Sequence, residues 1–240
     1  MIRGLLFDLN GTVIDILTDE NDYHVYRVTS NFLSYYGIMI SPDRLKELFL
    51  ELNRQQRKTS GEEFPEFDVE KIFRDIFKSC GVSDCPEHLA ATAAIVFRSA
   101  SRHQLIPYPD VCEVLTQLQA NYCMGALSDG QSLWAVPELR AAGLEKFFSF
   151  TIVSGDHGFR KPDKRMYEMA LQKIGLNADE VLFVGNDMYR DVYGAHEAGM
   201  KTVFFRSNQG DHSSHGVEAD YIIYHFSELP RAIAFLKGQG

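Results

Sequence analysis

Two kinds of hydrophobic pattern divide the chain. Between about residues 22 and 101, apolar residues recur with the helical spacing i, i+3, i+4, i+7, and no convincing strand interrupts them. The clearest runs are Leu45, Leu48, Phe49 and Leu52, and then Val69, Ile72, Phe73, Ile76 and Phe77. Ser41 before Pro42, and Asp68 further on, are typical helix N-caps. This part of the chain is therefore predicted to be helical.

Short apolar segments alternate with helical stripes in the rest of the chain. The segments are residues 1–9, 123–127, 150–153, 181–184, 202–205 and 221–223, and the helical stripes include residues 111–118 and 163–174. Such alternation predicts a parallel sheet covered by helices on both faces. We therefore expect an α/β fold with a Rossmann-like parallel sheet core built from residues 1–15 and 105–240. Residues 16–104 are expected to form an inserted α-helical cap domain.

Composition and charge exclude several classes of partner. The chain has 240 residues, 45% of them hydrophobic, and a formal net charge of −9. It has no run rich in Lys and Arg, so the electrostatic footprint of a nucleic-acid-binding protein is missing. The apolar N-terminal stretch runs straight into Asp8, which makes it too short for a signal peptide or a membrane span. We expect a cytoplasmic protein with no nucleic-acid or membrane partner.

The four cysteines do not predict a disulfide framework. Cys80, Cys85, Cys112 and Cys123 lack both the spacing of a metal site and the density of a disulfide-rich domain. We interpret them as reduced thiols, with pairing or metal binding by Cys80 and Cys85 as the alternative.

Polar side chains follow four of the predicted strands at the point where each strand ends. They are Asp8 and Asn10, then Ser128-Asp129-Gly130, then Lys161-Pro162-Asp163, and finally Gly185-Asn186-Asp187 with Asp191 four residues later. Functional residues of open α/β sheets gather beyond the carboxyl ends of the strands. These groups, although far apart in sequence, are therefore expected to meet in one crevice. A carboxylate held at a strand end, as Asp8 is, suits a nucleophile or a metal ligand.

The order of these segments resembles the four motifs of the haloacid dehalogenase-like hydrolase superfamily, in the subgroup with a helical cap inserted after the first strand. The segment DLNGT resembles the first motif, SDG the second, RKPD the third, and GNDMYRD with GAHEAG the fourth. The resemblance covers essentially the whole chain, and the combination is far more specific than any one motif.

The resemblance implies a nucleophile and a metal site. Asp8 would attack phosphorus and form an aspartyl-phosphate, which splits one displacement into two steps. Mg²⁺ would be bound by Asp8, by the backbone carbonyl of Asn10, and by Asp187 and Asp191. Asn186 is the alternative first ligand of the fourth motif, because the family more often has Asp directly after the glycine. Hard oxygen ligands of this kind suit Mg²⁺. The alternative for Asp191 is the cap of a helix beginning near Val192, a role compatible with metal binding.

The resemblance also implies a substrate-binding set. Lys161 would pair with the phosphoryl oxygens and with the Asp8 carboxylate. Ser128 would donate its hydroxyl to a phosphoryl oxygen, helped by the backbone amides of Asp129 and Gly130. Thr12 would orient the turn that carries Asp8.

Asn10 departs from the family pattern. Phosphatases of this family have an acid there, which protonates the leaving group and then activates water, and an amide does neither. Positioned acid–base groups contribute about 10²–10⁴-fold to a rate. Three explanations remain open, namely a substrate with a good leaving group, a proton supplied by another group or by the substrate, and an engineered replacement of Asp.

The motifs favour a Mg²⁺-dependent phosphatase of a small phosphorylated metabolite, with other functions left open. Dehalogenases of the superfamily attack carbon without a metal, and a pair of carboxylates would repel a haloacid. Phosphonoacetaldehyde hydrolases use a cap lysine, and Lys46 and Lys58 lie in the insert. A weakened homologue that only binds phosphate or a phosphorylated partner is a further alternative. The oligomeric state is left open.

Specificity is expected to lie in the inserted cap, since lids of this kind exclude water and contact the leaving group. Four residues near the end of the second cap helix either contact an anionic substrate or form a helix face that is exposed to solvent. They are Arg54, Arg57, Lys58 and Thr59.

Overall fold

A parallel sheet of six strands forms the centre of the computed structural model, which describes residues 1–82, 84 and 86–238. Its strands are β1 (Gly4–Phe7), β4 (Cys123–Ser128), β5 (Thr151–Val153), β6 (Val181–Gly185), β7 (Lys201–Phe205) and β8 (Tyr221–Ile223). Their order across the sheet is β5-β4-β1-β6-β7-β8, so β1 lies between β4 and β6. The predicted α/β fold with a parallel core is confirmed.

Helices cover both faces of this sheet, which is why its strands read as continuous apolar runs. The helices of this part are α5 (Val111–Leu118), α6 (Ser132–Ala141), α7 (Lys164–Ile174), α8 (Gly194–Glu197) and α9 (Leu229–Lys237). Leu5 and Phe7 of β1 pack in one apolar cluster with α5 and α9. Leu6 points to the other face and packs in a second cluster with α7 and α8.

The helical insertion follows the first strand, as the sequence predicts. It consists of α1 (Tyr23–Ser34), α2 (Pro42–Thr59), α3 (Val69–Ser79) and α4 (Leu89–Ser101). Ser41 caps α2 by accepting from Arg44 N, and Asp68 caps α3 by accepting from Lys71 N. These helices bury an apolar cluster of their own. That cluster also takes in Trp134 of α6, whose Nε1 donates to the carbonyl of Ala94 at 3.0 Å.

Two strands outside the main sheet were missed by the sequence patterns. They are β2 (Ile14–Thr18) and β3 (Arg102–Pro107), which pair antiparallel. Both are only partly buried, so neither has a continuous apolar run. The predicted domain boundaries at 15/16 and 104/105 fall inside this ribbon, and the division into two domains stays a prediction.

Within the described residues, no helix combines the length and the apolar character needed to cross a membrane. Cys112 and Cys123 carry free thiols. Pairing or metal binding by Cys80 and Cys85 lies outside the described residues, because Cys85 is not among them.

Candidate active site at the carboxyl ends of the strands

Asp8 lies in the first position after β1, where the chain turns sharply. The amides of Thr12, Val13 and Ile14 all donate to the carbonyl of Leu9. Gly11 has φ of +89°, and a side chain there would meet the amide of Asn186. Thr12 is fully buried, and its Oγ1 lies 3.0 Å from both Asp8 Oδ2 and Asn186 Oδ1. The turn therefore fixes one oxygen of Asp8 and joins the β1 loop to the β6 loop.

Lys161 reaches the same carboxylate from the loop after β5. Its Nζ donates to Asp8 Oδ1 at 2.6 Å, to Asp191 Oδ1 at 2.7 Å and to the carbonyl of Leu127 at 3.2 Å. The side chain is only 2% exposed. Burial by itself lowers the pKa of Lys161, but the carboxylates of Asp191 and Asp8 outweigh it and hold that pKa well above its usual range. Lys161 is therefore a fixed positive charge between two carboxylates.

Asp191 and Asp187 follow β6 but make different contacts. Asp191 is buried, and its Oδ2 accepts from the amides of Asn186 and Asp187 at 3.0 Å each. Gly185 is required beside it, because a Cβ there would lie 2.3 Å from that of Asp191. Burial raises the pKa of Asp191 to about 6, an effect that Lys161 opposes and the charge of Asp8 reinforces.

Asp187 instead caps the π-helical turn Met188–Tyr193. Its Oδ1 accepts from the amides of Tyr189 and Arg190, and its Oδ2 from Arg190 Nε at 2.9 Å and Nη2 at 2.8 Å. The alternative role of Asp191, as the cap of a helix near Val192, is therefore not observed. The helical turn begins four residues earlier, so Asp187 holds the cap position and Asp191 lies inside the turn.

The loop after β4 carries Ser128, Asp129 and Gly130. Ser128 is fully buried, and its hydroxyl lies 3.3 Å from the carbonyl of Asp129. The amide of Gly130 donates to Ser154 Oγ at 2.9 Å, so it is already in use. Asp129 Oδ1 accepts from the amide of Lys161 at 3.0 Å. Asp129 Oδ2 is buried and has no hydrogen-bond partner among the described residues, and Arg190 Nη1 lies 3.7 Å from it.

A cavity of about 560 Å³ opens between these loops and the helical insertion. Its sheet side includes Asn10, Asp129, Asn186 and Arg190, and its insertion side includes Glu20, Arg57, Glu66 and Arg98. Asn10 thus faces the space in which a substrate would lie. Of the residues proposed near the end of the second cap helix, Arg57 lines the cavity; Arg54, Lys58 and Thr59 are exposed.

Residues 60–68 of the insertion are bound directly to the loops that carry the site. Glu66 N donates to the carbonyl of Gly158, and Arg160 N donates to the carbonyl of Phe64. Ser154 Oγ donates to Glu66 Oε2 at 2.9 Å. Sequence reasoning missed this link, because its members are separated by about 90 residues and belong to no local pattern.

The donors available to a metal are oxygen atoms at the ends of β1 and β6. Asp8, Asp191 and Asn186 are joined there through Lys161 and Thr12. Asp187 is turned to Arg190 instead. No set of three or more His, Cys, Asp or Glu side chains is arranged around a common point in the part of the chain that the structure describes. Any metal here would therefore depend on amide and carbonyl oxygens besides two carboxylates.

The family of haloacid dehalogenase-like hydrolases matches residues 5–205 of the chain. A glyceraldehyde 3-phosphate phosphatase of Methanopyrus kandleri is 28% identical over 209 residues, which cover 86% of this chain and 84% of the relative. The 5-amino-6-(5-phospho-D-ribitylamino)uracil phosphatase YigB of Escherichia coli is 30% identical over 220 residues, which cover 88% and 86%. The crystal structure of a 2-haloacid dehalogenase of Pseudomonas syringae superposes with a TM-score of 0.72 at 23% identity. The superposition covers 98% of this chain and 99% of that one, and it shows that the two proteins share a fold.

Proposed function

This chain belongs to the haloacid dehalogenase-like hydrolase family, which confirms the family and the enzyme class predicted from its motifs, and on that premise we propose that it is a phosphoric monoester hydrolase. Its substrate is a small phosphorylated metabolite, and Asp8 is the nucleophile. The relatives named above support the substrate class, because each is named for a phosphorylated small molecule. We also propose a cytoplasmic location, as the sequence predicts.

One observation carries the proposal. The carboxylate of Asp8 is held on both sides, by Lys161 Nζ at 2.6 Å and by Thr12 Oγ1 at 3.0 Å, two residues before Asn10, which lines the cavity. A carboxylate fixed in this way is oriented before a substrate arrives, so little reorganisation is needed when it attacks. Lys161 would also offset negative charge on the phosphoryl oxygens.

The reaction has two steps. Asp8 attacks phosphorus, the bond to the ester oxygen breaks, and a phosphorylated Asp8 forms. Water then attacks the same phosphorus, releases inorganic phosphate and restores the carboxylate. The Ser128 hydroxyl and the amide of Asp129 are proposed to donate to phosphoryl oxygens, while Gly130 serves the loop instead.

The charges at this end of the sheet fit a divalent cation. Among the described residues, the carboxylates of Asp8, Asp187 and Asp191 pair only with Lys161 and Arg190, which leaves one negative charge in excess without counting Asp129. Mg²⁺ would be held by Asp8, Asp191, the carbonyl of Asn10 and the side-chain oxygen of Asn186. We propose Asn186 in place of Asp187 because the latter is occupied by Arg190. Bound Mg²⁺ would offset the charges of the nucleophile and the phosphoryl group.

The other chemistries considered for this family have less support. Lys46 Nζ donates to the carbonyl of Asn21 and Lys58 is exposed, so neither is placed for a Schiff base in the cavity. A haloacid would bring its own carboxylate toward an end of the sheet that already carries excess negative charge.

The test is hydrolysis of p-nitrophenyl phosphate and acetyl phosphate with Mg²⁺ and with EDTA. The unmodified protein should release phosphate only with the metal, and Asp8→Asn should release none. Trapping of a phosphorylated protein that is absent in Asp8→Asn would support the nucleophile directly. If neither compound is hydrolysed but phosphate still binds, the protein is a phosphate-binding homologue. If chloride is released from 2-chloropropionate instead, it is a dehalogenase.

A further inference from the structure

We propose that Asp129 donates the proton to the leaving oxygen, the role that an amide at position 10 does not perform. This inference rests on the proposed phosphatase function and adds a catalytic residue to it. It is drawn from the hydrogen-bond partners of the ionisable groups that line the cavity.

An alkyl phosphate releases its alcohol slowly unless the leaving oxygen gains a proton. Asn10 has no proton to give, and Lys161 is held by three acceptors and keeps its charge. Four carboxyl groups line the cavity, namely Asp15, Glu20, Glu66 and Asp129. One of these is the candidate donor.

Three of these four carboxyl groups already have hydrogen-bond or ion-pair partners. Asp15 accepts from Gln209 Nε2 at 2.9 Å and from Gln104 Nε2 at 2.6 Å. Glu20 pairs with Arg98 at 3.1 Å. Glu66 accepts from Arg57 and from its neighbouring amide on one oxygen, and from Ser154 on the other. Asp15 and Glu66 are thus bonded through both carboxylate oxygens, and Glu20 is paired through one oxygen while 39% of its side chain is exposed.

Asp129 differs because its two oxygens have unequal surroundings. Oδ1 is anchored by the amide of Lys161, the residue whose Nζ holds the nucleophile. Oδ2 is buried and has no hydrogen-bond partner in the part of the chain that the structure describes. Buried carboxylate oxygens are nearly always hydrogen-bonded, so an exception needs an explanation. A leaving oxygen in the cavity would supply the missing partner.

The charges around Asp129 come from several elements. Lys161 and Arg190 favour its ionised form, Asp191 opposes it, and Glu66 and Arg57 of the insertion also face it. Burial is the largest influence and raises the pKa of Asp129 above its usual range. The carboxyl group thus retains a proton to higher pH than an exposed aspartate does.

The proton balance closes over the two steps. As Asp8 attacks and the P–O bond to the leaving oxygen breaks, the proton of Asp129 moves to that oxygen and an alcohol leaves. Asp129 is then a carboxylate. It accepts a proton from the water that attacks the phosphorylated Asp8, so each turnover restores its starting state.

The test compares Asp129→Asn with the unmodified protein on glycerol 1-phosphate and on p-nitrophenyl phosphate. The measured quantity is kcat/KM, which covers only the steps up to loss of the alcohol or phenol. We expect a fall of about 100-fold or more for the alkyl ester, and a change of less than about threefold for the nitrophenyl ester, whose leaving group needs little protonation. Asp156→Asn, an exposed loop aspartate bound to Ser132, is the matched control and should change neither value.

A pH profile of the unmodified protein tests the same proposal without a substitution. For the alkyl ester, kcat/KM should fall as pH rises through the pKa of Asp129, and this fall should be absent with the nitrophenyl ester. Equal losses on both esters in Asp129→Asn, or no loss on either, would overturn the role of Asp129. Failure of the unmodified protein to hydrolyse any ester would instead overturn the proposed function.

Discussion

Ion pairs occur on both sides of the cavity, but they differ in how far their side chains are exposed to solvent. At the carboxyl ends of the strands on the sheet side, Lys161, Asp8 and Asp191 come from three separate segments that follow β5, β1 and β6, and the side chains of both ion pairs are less than a tenth exposed. On the insertion side, Arg57 pairs with Glu66 while 28% of the arginine side chain remains exposed. The sheet side holds charge in a fixed arrangement suited to chemistry, whereas the insertion side keeps a charge that water or a ligand can reach.

Lys161→Met should give the largest effect, because it leaves two buried carboxylates without their cation. Removing one partner of a buried ion pair costs about 3–5 kcal/mol of unfolding free energy. Loss of a preorganised charge should also lower kcat by about 10²–10³-fold. Denaturant unfolding and steady-state kinetics would measure both. Lys164→Met is the control, since the lysine lies on the surface 3.6 Å from Glu168 and should change stability by about 0.5 kcal/mol or less.

Asp191→Asn and Asp187→Ala should distinguish the roles of the two carboxylates that follow β6. We expect Asp191→Asn to raise the Mg²⁺ concentration for half-maximal activity by about 10–100-fold. Asp187→Ala should leave that concentration nearly unchanged but cost about 1 kcal/mol of stability, because it removes a cap. Titration of activity with Mg²⁺ distinguishes them. An equal shift in both variants would return Asp187 to the ligand set predicted from sequence.

Arg57→Ala probes the insertion side of the comparison. Glu66 would lose its ion-pair partner in a nearly buried position, and we expect a loss of about 1–3 kcal/mol. Combining it with Glu66→Gln should recover part of that loss. Thermal unfolding of the two single variants and the double variant gives the coupling, and the exposed Arg54→Ala on the same helix is the control. If the coupling is zero, the Arg57–Glu66 pair contributes nothing to stability, and the two sides of the cavity differ more than the exposure of their ion pairs indicates.

Arg44→Ala should have the smallest effect. Its partner Glu47 is three residues away on the outer surface of α2, and both side chains are more than half exposed. Such pairs contribute about 0.5 kcal/mol or less. A thermal unfolding midpoint that shifts as far as that of Arg57→Ala would mean that burial does not decide the strength of ion pairs in the insertion.

The strands and helices were predictable where the pattern is local. Buried strands such as β1 and β6 are short apolar runs, and the caps Ser41 and Asp68 precede strongly periodic helices. The ribbon of β2 and β3 was missed because each of its strands is half exposed and stabilised by pairing with the other, about 90 residues away. Pairing at that distance leaves little trace in either segment.

The polar groups of the candidate site were also predictable as a set, but their individual contacts were not. Asp187 and Asp191 are both carboxylates after one strand, and only the position of the π-helical turn decides which one meets Arg190 and which one meets Lys161. Arg190 itself was not predicted. Its position three residues after Asp187 is typical of a helix-surface pair, which was the available signal.

The sequence by itself determined that a group of carboxylates, an amide, a lysine and a serine meet beyond one edge of a sheet. That follows because parallel strands bring their carboxyl ends to the same edge, wherever they lie along the chain. Tertiary structure decided which carboxylates form ion pairs and which oxygen of Asp129 lacks a hydrogen-bond partner among the described residues. Such pairing depends on distances of a few ångströms between loops that are far apart in sequence, and no local pattern encodes those distances.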